Sequence, residues 1–443
     1  MIGPNWLSPA GTSSSSKINQ GAEFPMKRNY LIVLLIFLIF FVISFLTNIL
    51  GPLIPDIIEG FNLTHLTLAA FLPFSFFAAY GVMSIPSGIL VDKYSAKIIM
   101  TGAFVLALIG SFLFASFPGF YVAMFSLFLI GTGMAMLQVA INPLLRIAGG
   151  EEHFAFNSVM AQLVFGLASF LSPQVYTYLV VNLQNFTGEG NILIRALAAV
   201  VPEALPWISL YWVFAAVTFV MVFVLVAVRL PKIELKEDER VGTLQTTLGL
   251  FKDKQVILYF IGIFAYVGTE QGFANWMSKY LVMYHGFDPL VIGADAVSYF
   301  WGLLTAGCVL GLILLKFFDS RKVIIWFTAA AMLSLTLALS GTAKMALYGL
   351  PASGFFLSVM WSIIFSLALN SVEEHHGSFS GILCTGIVGG AFVPLIIGGL
   401  GDLFGLKIGM MFLYVTLGYI LSIGFWAKPI IVNKTISLKK ESL

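Results

Sequence analysis

The chain is 443 residues long, 59% hydrophobic and only 10% charged, with a formal net charge of +2. Soluble domains carry about 25% charged residues, so this composition argues against a soluble globular protein and for a polytopic membrane protein. No basic block is present that would bind nucleic acid.

The first 29 residues are polar, Ser-rich around Ser13–Ser16, and end at Lys27-Arg28. They are expected to form a disordered cytoplasmic tail. The apolar stretch that follows is too long for a signal-peptide core and should remain as the first spanning helix. Hydropathy then gives spans near 30–55, 66–91, 97–117, 120–145, 154–181 and 207–229. After a gap come 255–281, 289–315, 322–341, 345–370, 377–400 and 408–428. Each is long enough to cross about 30 Å of hydrocarbon. With an even number of spans, both termini fall on one side. Placing them in the cytoplasm puts about 19 Lys and Arg inside and about 4 outside (Arg195, Lys279, Lys344 and Lys407), as the positive-inside rule demands. Trp207, beside an outer span end, reads as an interface anchor.

The charged stretch Lys236-Glu237-Asp238-Glu239-Arg240 divides the chain. The expected organisation is a tail at 1–29, a six-helix bundle at 30–230, a cytoplasmic linker at 231–254, a second six-helix bundle at 255–430 and a tail at 431–443. The halves echo each other at an offset of about 221–222 residues, which pairs Asn48 with Glu270, Thr47 with Thr269, and Pro173 with Pro394. Cys308 and Cys384 both fall in apolar spans and read as small packed side chains rather than a disulfide or metal site.

Polar residues inside the spans carry the functional signal. Span 1 holds Asn48. The turn after span 2 reads Gly88-Ile-Leu-Val-Asp92-Lys93-Tyr-Ser-Ala-Lys97. It resembles the G-x3-D-[RK]-x-x-x-[RK] gating loop of the major facilitator superfamily, in which the acid can accept hydrogen bonds from a neighbouring helix N-terminus. The corresponding stretch of the second half is degenerate: Gly311, Lys316, Asp319, Arg321 and Lys322. In span 4, Gln138 and Asn142 are four apart and share a helix face. Two amides on one stripe can grip a hydroxylated solute or bond to a neighbouring helix. Pro143 frees a backbone carbonyl beside them. Gln162 lies in span 5.

Span 7 reads Thr269-Glu270-Gln271-Gly272-Phe273-Ala274-Asn275-Trp276. Glu270 is the acid at membrane depth, with no Lys or Arg at comparable depth. Such a carboxylate is expensive and marks an ion pathway or a hydrogen-bonded structural acid. Gln271 and Asn275 share a face, Gly272 can loosen the helix, and Trp276 offers a flat apolar surface to a sugar. Asp295, near the start of span 8, is expected in a solvated mouth. Trp361 is the aromatic of span 10. Glu373, Glu374, His375 and His376 crowd one cytoplasmic turn and read as a wet charged loop rather than a metal site.

Several runs are more specific. Leu137-Gln-Val-Ala-Ile-Asn142-Pro143 resembles the LQ-x-A-x-NP signature of the fucose–galactose–glucose:proton symporter family. Tyr266-Val-Gly-Thr-Glu270 is similar to that family's YVGAE. Gly354 to Ala368 resembles its span 10 stretch, and Gly386-Ile-Val-Gly-Gly-Ala-Phe-Val-Pro394 its IVGGA-xx-P. The glucose/galactose-type branch is nearer. Fucose-type members carry acids where this chain has Gly51 and Gln138. A family Asn is replaced by Phe165, and a span 10 proline by Ser362 beside Trp361. The resemblance implies a major facilitator fold and sugar uptake coupled to a cation.

The expected fold class is therefore an all-α membrane protein with the major facilitator fold: twelve transmembrane helices in two six-helix bundles related by a pseudo-two-fold axis. The expected function is import of a monosaccharide, a hexose such as glucose or galactose, by symport with alternating access. Glu270 would couple the cation, H+ or Na+, with sodium possible beside it. The substrate set would be Asn48, Gln138, Asn142, Gln162, Gln271, Asn275, Trp276 and Trp361, and the gating loop Gly88, Asp92 and Lys97. No cofactor, resident metal or catalytic residue is expected, since no nucleophile–base set lies at membrane depth. The partners would be the sugar and the bilayer of the plasma (inner) membrane, with a monomeric protein. Two rival readings are an exporter of amphipathic compounds (a drug:proton antiporter) and a sugar receptor without transport.

Overall fold

The computed structural model describes residues 30–149, 154–188, 191–230, 244–372 and 376–430. The expected tails and most of the expected linker lie outside the described residues, while Leu244–Gly249 forms a short helix. Among the described residues, twelve helices are long and apolar enough to cross a membrane. Spans 1 to 6 are Tyr30–Gly60, Leu66–Val91, Ala96–Ser116, Phe120–Ile141, Met160–Gln184 and Pro206–Ala227. Spans 7 to 12 are Lys254–His285, Pro289–Phe317, Ser320–Ser340, Ala343–Leu369, Gly377–Phe404 and Leu406–Trp426. Span 1 runs past its expected end and so includes Asp56, whose carboxylate takes a hydrogen bond from the Tyr176 hydroxyl of span 5. A paired acid close to a helix end is tolerable where a lone one at mid-depth is not.

Short polar residues start several of the helices. Asp253 accepts from Gln255 N at 2.8 Å, Asp319 from Arg321 N at 2.8 Å, and Thr342 from Met345 N at 3.4 Å, each satisfying an otherwise orphaned amide. Gly286, at φ 67°, terminates span 7 in the left-handed conformation that glycine adopts without strain. The Arg321 side chain folds back onto Asp319 at 2.7 Å and holds that carboxyl below the usual carboxylate range.

The spans form two bundles of six, packed by the same rule. In the first, span 3 packs on 4, 2 on 4, 3 on 6 and 1 on 5. In the second, span 9 packs on 10, 8 on 10, 9 on 12 and 7 on 11. The repeat extends to single atoms. A Cβ on Gly131 of span 4 would overlap the Phe76 carbonyl of span 2, and one on Gly354 of span 10 would overlap the Phe300 carbonyl of span 8. Helices in lipid gain little from apolar burial against one another and depend on such close backbone approach. Thr47 and Thr269 return hydrogen bonds of 2.7 Å to the carbonyls four residues back, Ile43 and Ala265.

The bundles meet along a seam made by span 2 on span 11, span 5 on span 8, and the second half of span 1 on span 7. Residues 30 and 430 stand at one end of this seam, the termini side. The turn at 61–65 stands at the other, the distal side. Inter-bundle contact is tight on the distal side. Gly51 lies against the Ala274 carbonyl so closely that a Cβ would overlap it. Gln174 of span 5 donates to Asp295 of span 8 at 2.7 Å, and Thr177 to the Leu290 carbonyl at 2.7 Å. Asp295 is thus an inter-bundle acceptor rather than a group in an open solvated mouth. Trp207 is 2% exposed and packs edge-on against Phe61, so it braces the first bundle instead of anchoring in an interface.

Candidate functional site

Half-way along span 1 the helix is interrupted. It ends at Thr47 and resumes at Leu50. Pro52 has no N–H to offer the Asn48 carbonyl four residues earlier, which explains the break and leaves Asn48 at it. The Asn48 side chain is buried, 4% exposed, yet it is fully engaged. Its Nδ2 donates to Ser169 Oγ of span 5 at 2.8 Å and weakly to Ser44 Oγ at 3.4 Å. Ser44 and Ser169 share a hydrogen bond of 2.6 Å, and Ser44 donates to the Phe165 carbonyl at 2.5 Å.

Across the seam stands Gln271. Its Nε2 reaches Asn48 Oδ1 at 3.5 Å and Glu270 Oε1 at 3.3 Å. Both neighbours are acceptors, so the amide must present nitrogen to them. The other carboxylate oxygen, Oε2, accepts from the Tyr266 hydroxyl at 2.6 Å. One polar string therefore runs from span 5 through span 1 to span 7: Phe165, Ser44, Ser169, Asn48, Gln271, Glu270, Tyr266. The i, i+4 pair Ser44–Asn48 in span 1 is matched at the repeat offset by Tyr266–Glu270 in span 7. Among the described residues, the hydrogen-bond partners of Glu270 are a phenol and an amide; neither is a cation. Glu270 is half-buried. The Trp361 ring of span 10 lies 6.1 Å from the Tyr266 ring and stacks on Phe365 at 5.7 Å. Ser44, Ser169 and Tyr266 are absent from the expected site. The i, i+4 spacing of Ser44 to Asn48 and of Tyr266 to Glu270 was the available signal.

The other expected site residues divide. Gln138 of span 4 is half-buried. The side chains of Asn142 and Asp92 lie outside the described residues, as do those of the Glu373–His376 turn. Gln162 stands four residues before Gly166, which abuts Thr305 of span 8, and seven before Ser169. It therefore faces the seam, one turn nearer the termini side, and is exposed there. Asn275 is 1% exposed beneath Gly51, and its Nδ2 has no hydrogen-bond partner among the described residues.

Two expectations need correction. Trp276 is 0% exposed; its indole N–H donates to the Pro394 carbonyl of span 11 at 2.9 Å, so it locks spans 7 and 11 and has no free face for a solute. Gly272 does not loosen span 7, which is helical without interruption from Lys254 to His285. It admits Leu413 and Ile397 side chains close to the backbone instead. In the expected gating loop, Gly88 is buried in span 2 and Lys97 bonds within its own bundle. Its Nζ donates to the Val226 and Val228 carbonyls at 2.9 and 2.8 Å, capping the end of span 6 in its own bundle.

The chain compares with known proteins as follows. The sequence profile of the Major Facilitator Superfamily matches residues 36–390. A glucose/galactose transporter of Brucella abortus biovar 1 (strain 9-941) is 30% identical over 421 residues, covering 93% of this chain and 95% of that one. The L-fucose-proton symporter of Escherichia coli (strain K12) is 24% identical, covering 85% of this chain and 88% of its own length. Among solved structures, a crystal structure of the E. coli fucose:proton symporter superposes with a TM-score of 0.66 at 20% identity, over 90% of this chain and 100% of that one. That likeness shows the shared fold.

Proposed function

The chain belongs to the major facilitator superfamily, and from that premise we propose that it imports a monosaccharide, a hexose such as glucose or galactose, by cation-coupled symport. The names of its relatives supply the substrate class. One observation carries the coupling: Glu270, with no cationic partner among the described residues, is joined through Gln271 and Asn48 to the opposite bundle.

In this reading the termini side is cytoplasmic, because about 19 of the Lys and Arg residues would lie there. Residues 30–230 and 255–430 rock against each other, joined by 231–254, and the protein acts as a monomer in the plasma (inner) membrane. The cation is a proton, which agrees with the fucose-proton symporter relative; sodium held by the carboxylate and amide oxygens is the alternative. Closing a cavity around an ionised carboxylate is costly, and a bound cation removes that cost. A proton on Oε1 would confront the Gln271 amide with a hydroxyl where it now meets an acceptor. Turning the amide to accept that proton sets oxygen against Asn48 Oδ1 and weakens the bridge between bundles. Loading and rocking are thereby linked.

The sugar would be held by the amides of Gln138, Asn142 and Gln162, and by Asn48 and Gln271 once their bridge loosens, with Trp361 beside its apolar face. A sugar needs many directed hydrogen bonds and little charge, which suits amides over ionised groups. The test is uptake of a hexose panel by proteoliposomes under separate pH and sodium gradients. Accumulation of one hexose driven by one gradient is expected. Absence of sugar uptake under both, with dye export instead, would refute the proposal.

A further inference from the structure

On the distal side, the first turn of span 2 has an unusual arrangement. Its N-cap residue, His65, has the extended backbone of a cap, φ −123° and ψ 136°, but its side chain makes no capping bond. The amides at a helix start need an acceptor. They find it in the other bundle. Asp402, at the distal end of span 11, accepts from Leu66 N at 2.6 Å through Oδ1, and from Thr67 N at 2.9 Å and Thr67 Oγ1 at 2.5 Å through Oδ2. His65 Nδ1 lies 4.0 Å from the same Oδ2. Asp402 sits at an exposed helix end, but three hydrogen bonds to the first turn of span 2 occupy its carboxylate and leave the side chain 18% exposed. Glycines let span 11 come this close. A Cβ on Gly398 would stand 3.2 Å from the Leu66 carbonyl and 3.1 Å from the Ala70 Cβ.

We propose that Asp402 is a distal latch, a positioning residue that closes the outer end of the transport pathway by capping span 2 in trans. Ordinary caps are local and survive any movement of their helix. This one joins residues 336 positions apart in different bundles, so it exists only while spans 2 and 11 touch at their distal ends. When they part, the amides of Leu66 and Thr67 pass to water and the helix dipole loses its anion. The capping energy thus becomes part of the free energy of distal closure. A side-chain cap is typically worth about a five-fold change in an equilibrium. The latch depends on neither the sugar nor the cation, and rests on the proposed function only for the cytoplasmic placement of the termini side and for alternating access.

The test uses the full chain in right-side-out vesicles, with Cys308 and Cys384 replaced by alanine. A single cysteine is placed at Ala70, which is fully buried beneath the span 2–span 11 contact. A membrane-impermeant maleimide added from the distal side reads the fraction of time that contact is open. Asp402→Ala should speed alkylation about five-fold, and Thr67→Val, which keeps the charge and removes one bond, by a smaller factor. If Asp402→Ala does not fold, Asp402→Asn and Thr67→Val carry the same expectation at reduced size. An unchanged alkylation rate in the folded variants overturns the proposal, and so does a lower melting temperature without faster alkylation, which would mark Asp402 as merely structural.

Discussion

Asn48 of span 1 and Gln271 of span 7 meet across the seam at 3.5 Å, Nε2 to Oδ1. Each is also tied to its own surroundings, Asn48 to Ser169 and Gln271 to Glu270. A buried amide with one partner left unmatched costs about 1–3 kcal/mol. In the proposed mechanism a change at the carboxylate is passed along the string.

Replacing Glu270 with Gln keeps the shape and removes the charge. The expected outcome is loss of gradient-driven sugar accumulation with sugar counterflow retained, both measured in proteoliposomes. Full accumulation by this variant would eliminate Glu270 as the coupling group.

Gln138→Ala and Asn142→Ala should each weaken sugar binding by about 1 kcal/mol, or roughly five-fold in Kd, as the loss of one hydrogen bond would. Isothermal titration of the purified protein measures this. Unaltered affinity in both variants would make these amides interhelical links.

Gly51→Ala places a methyl group into the Ala274 carbonyl. Backbone cannot yield as a side-chain tip can, so spans 1 and 7 must separate on the distal side. The variant should favour the distal-open arrangement, seen as faster alkylation of a cysteine at Ala70. Parent-like alkylation and melting would show that the contact is looser than the geometry indicates.

Trp276→Phe removes the bond to the Pro394 carbonyl while keeping an aromatic ring. Thermal stability should fall by about 1 kcal/mol, and sugar affinity should stay within two-fold of the parent. A collapse of affinity with unchanged melting would return Trp276 to the binding site.

Number and length of spans were legible because the bilayer imposes them: a helix must satisfy its own backbone and reach across the hydrocarbon. The rarity of Glu270 was legible for the same reason, since an acid at that depth stands out against apolar residues. The Gln138–Asn142 stripe also follows from helical spacing alone.

Which surface each polar residue meets was another matter. Trp276 and Trp361 look alike in sequence, yet one is sealed against Pro394 and the other sits beside Tyr266. Lys97 reads as a gating residue and caps span 6. Asp402 lies just past the expected end of span 11 at 400, with nothing in the sequence to mark it, and caps a helix 336 positions away. Lipid and protein interior are about equally apolar, so a spanning helix carries little amphipathic signal to tell its inner face from its outer one. Composition and spacing set what each helix is; only the packing of one bundle on the other decides which of its groups find partners across the seam.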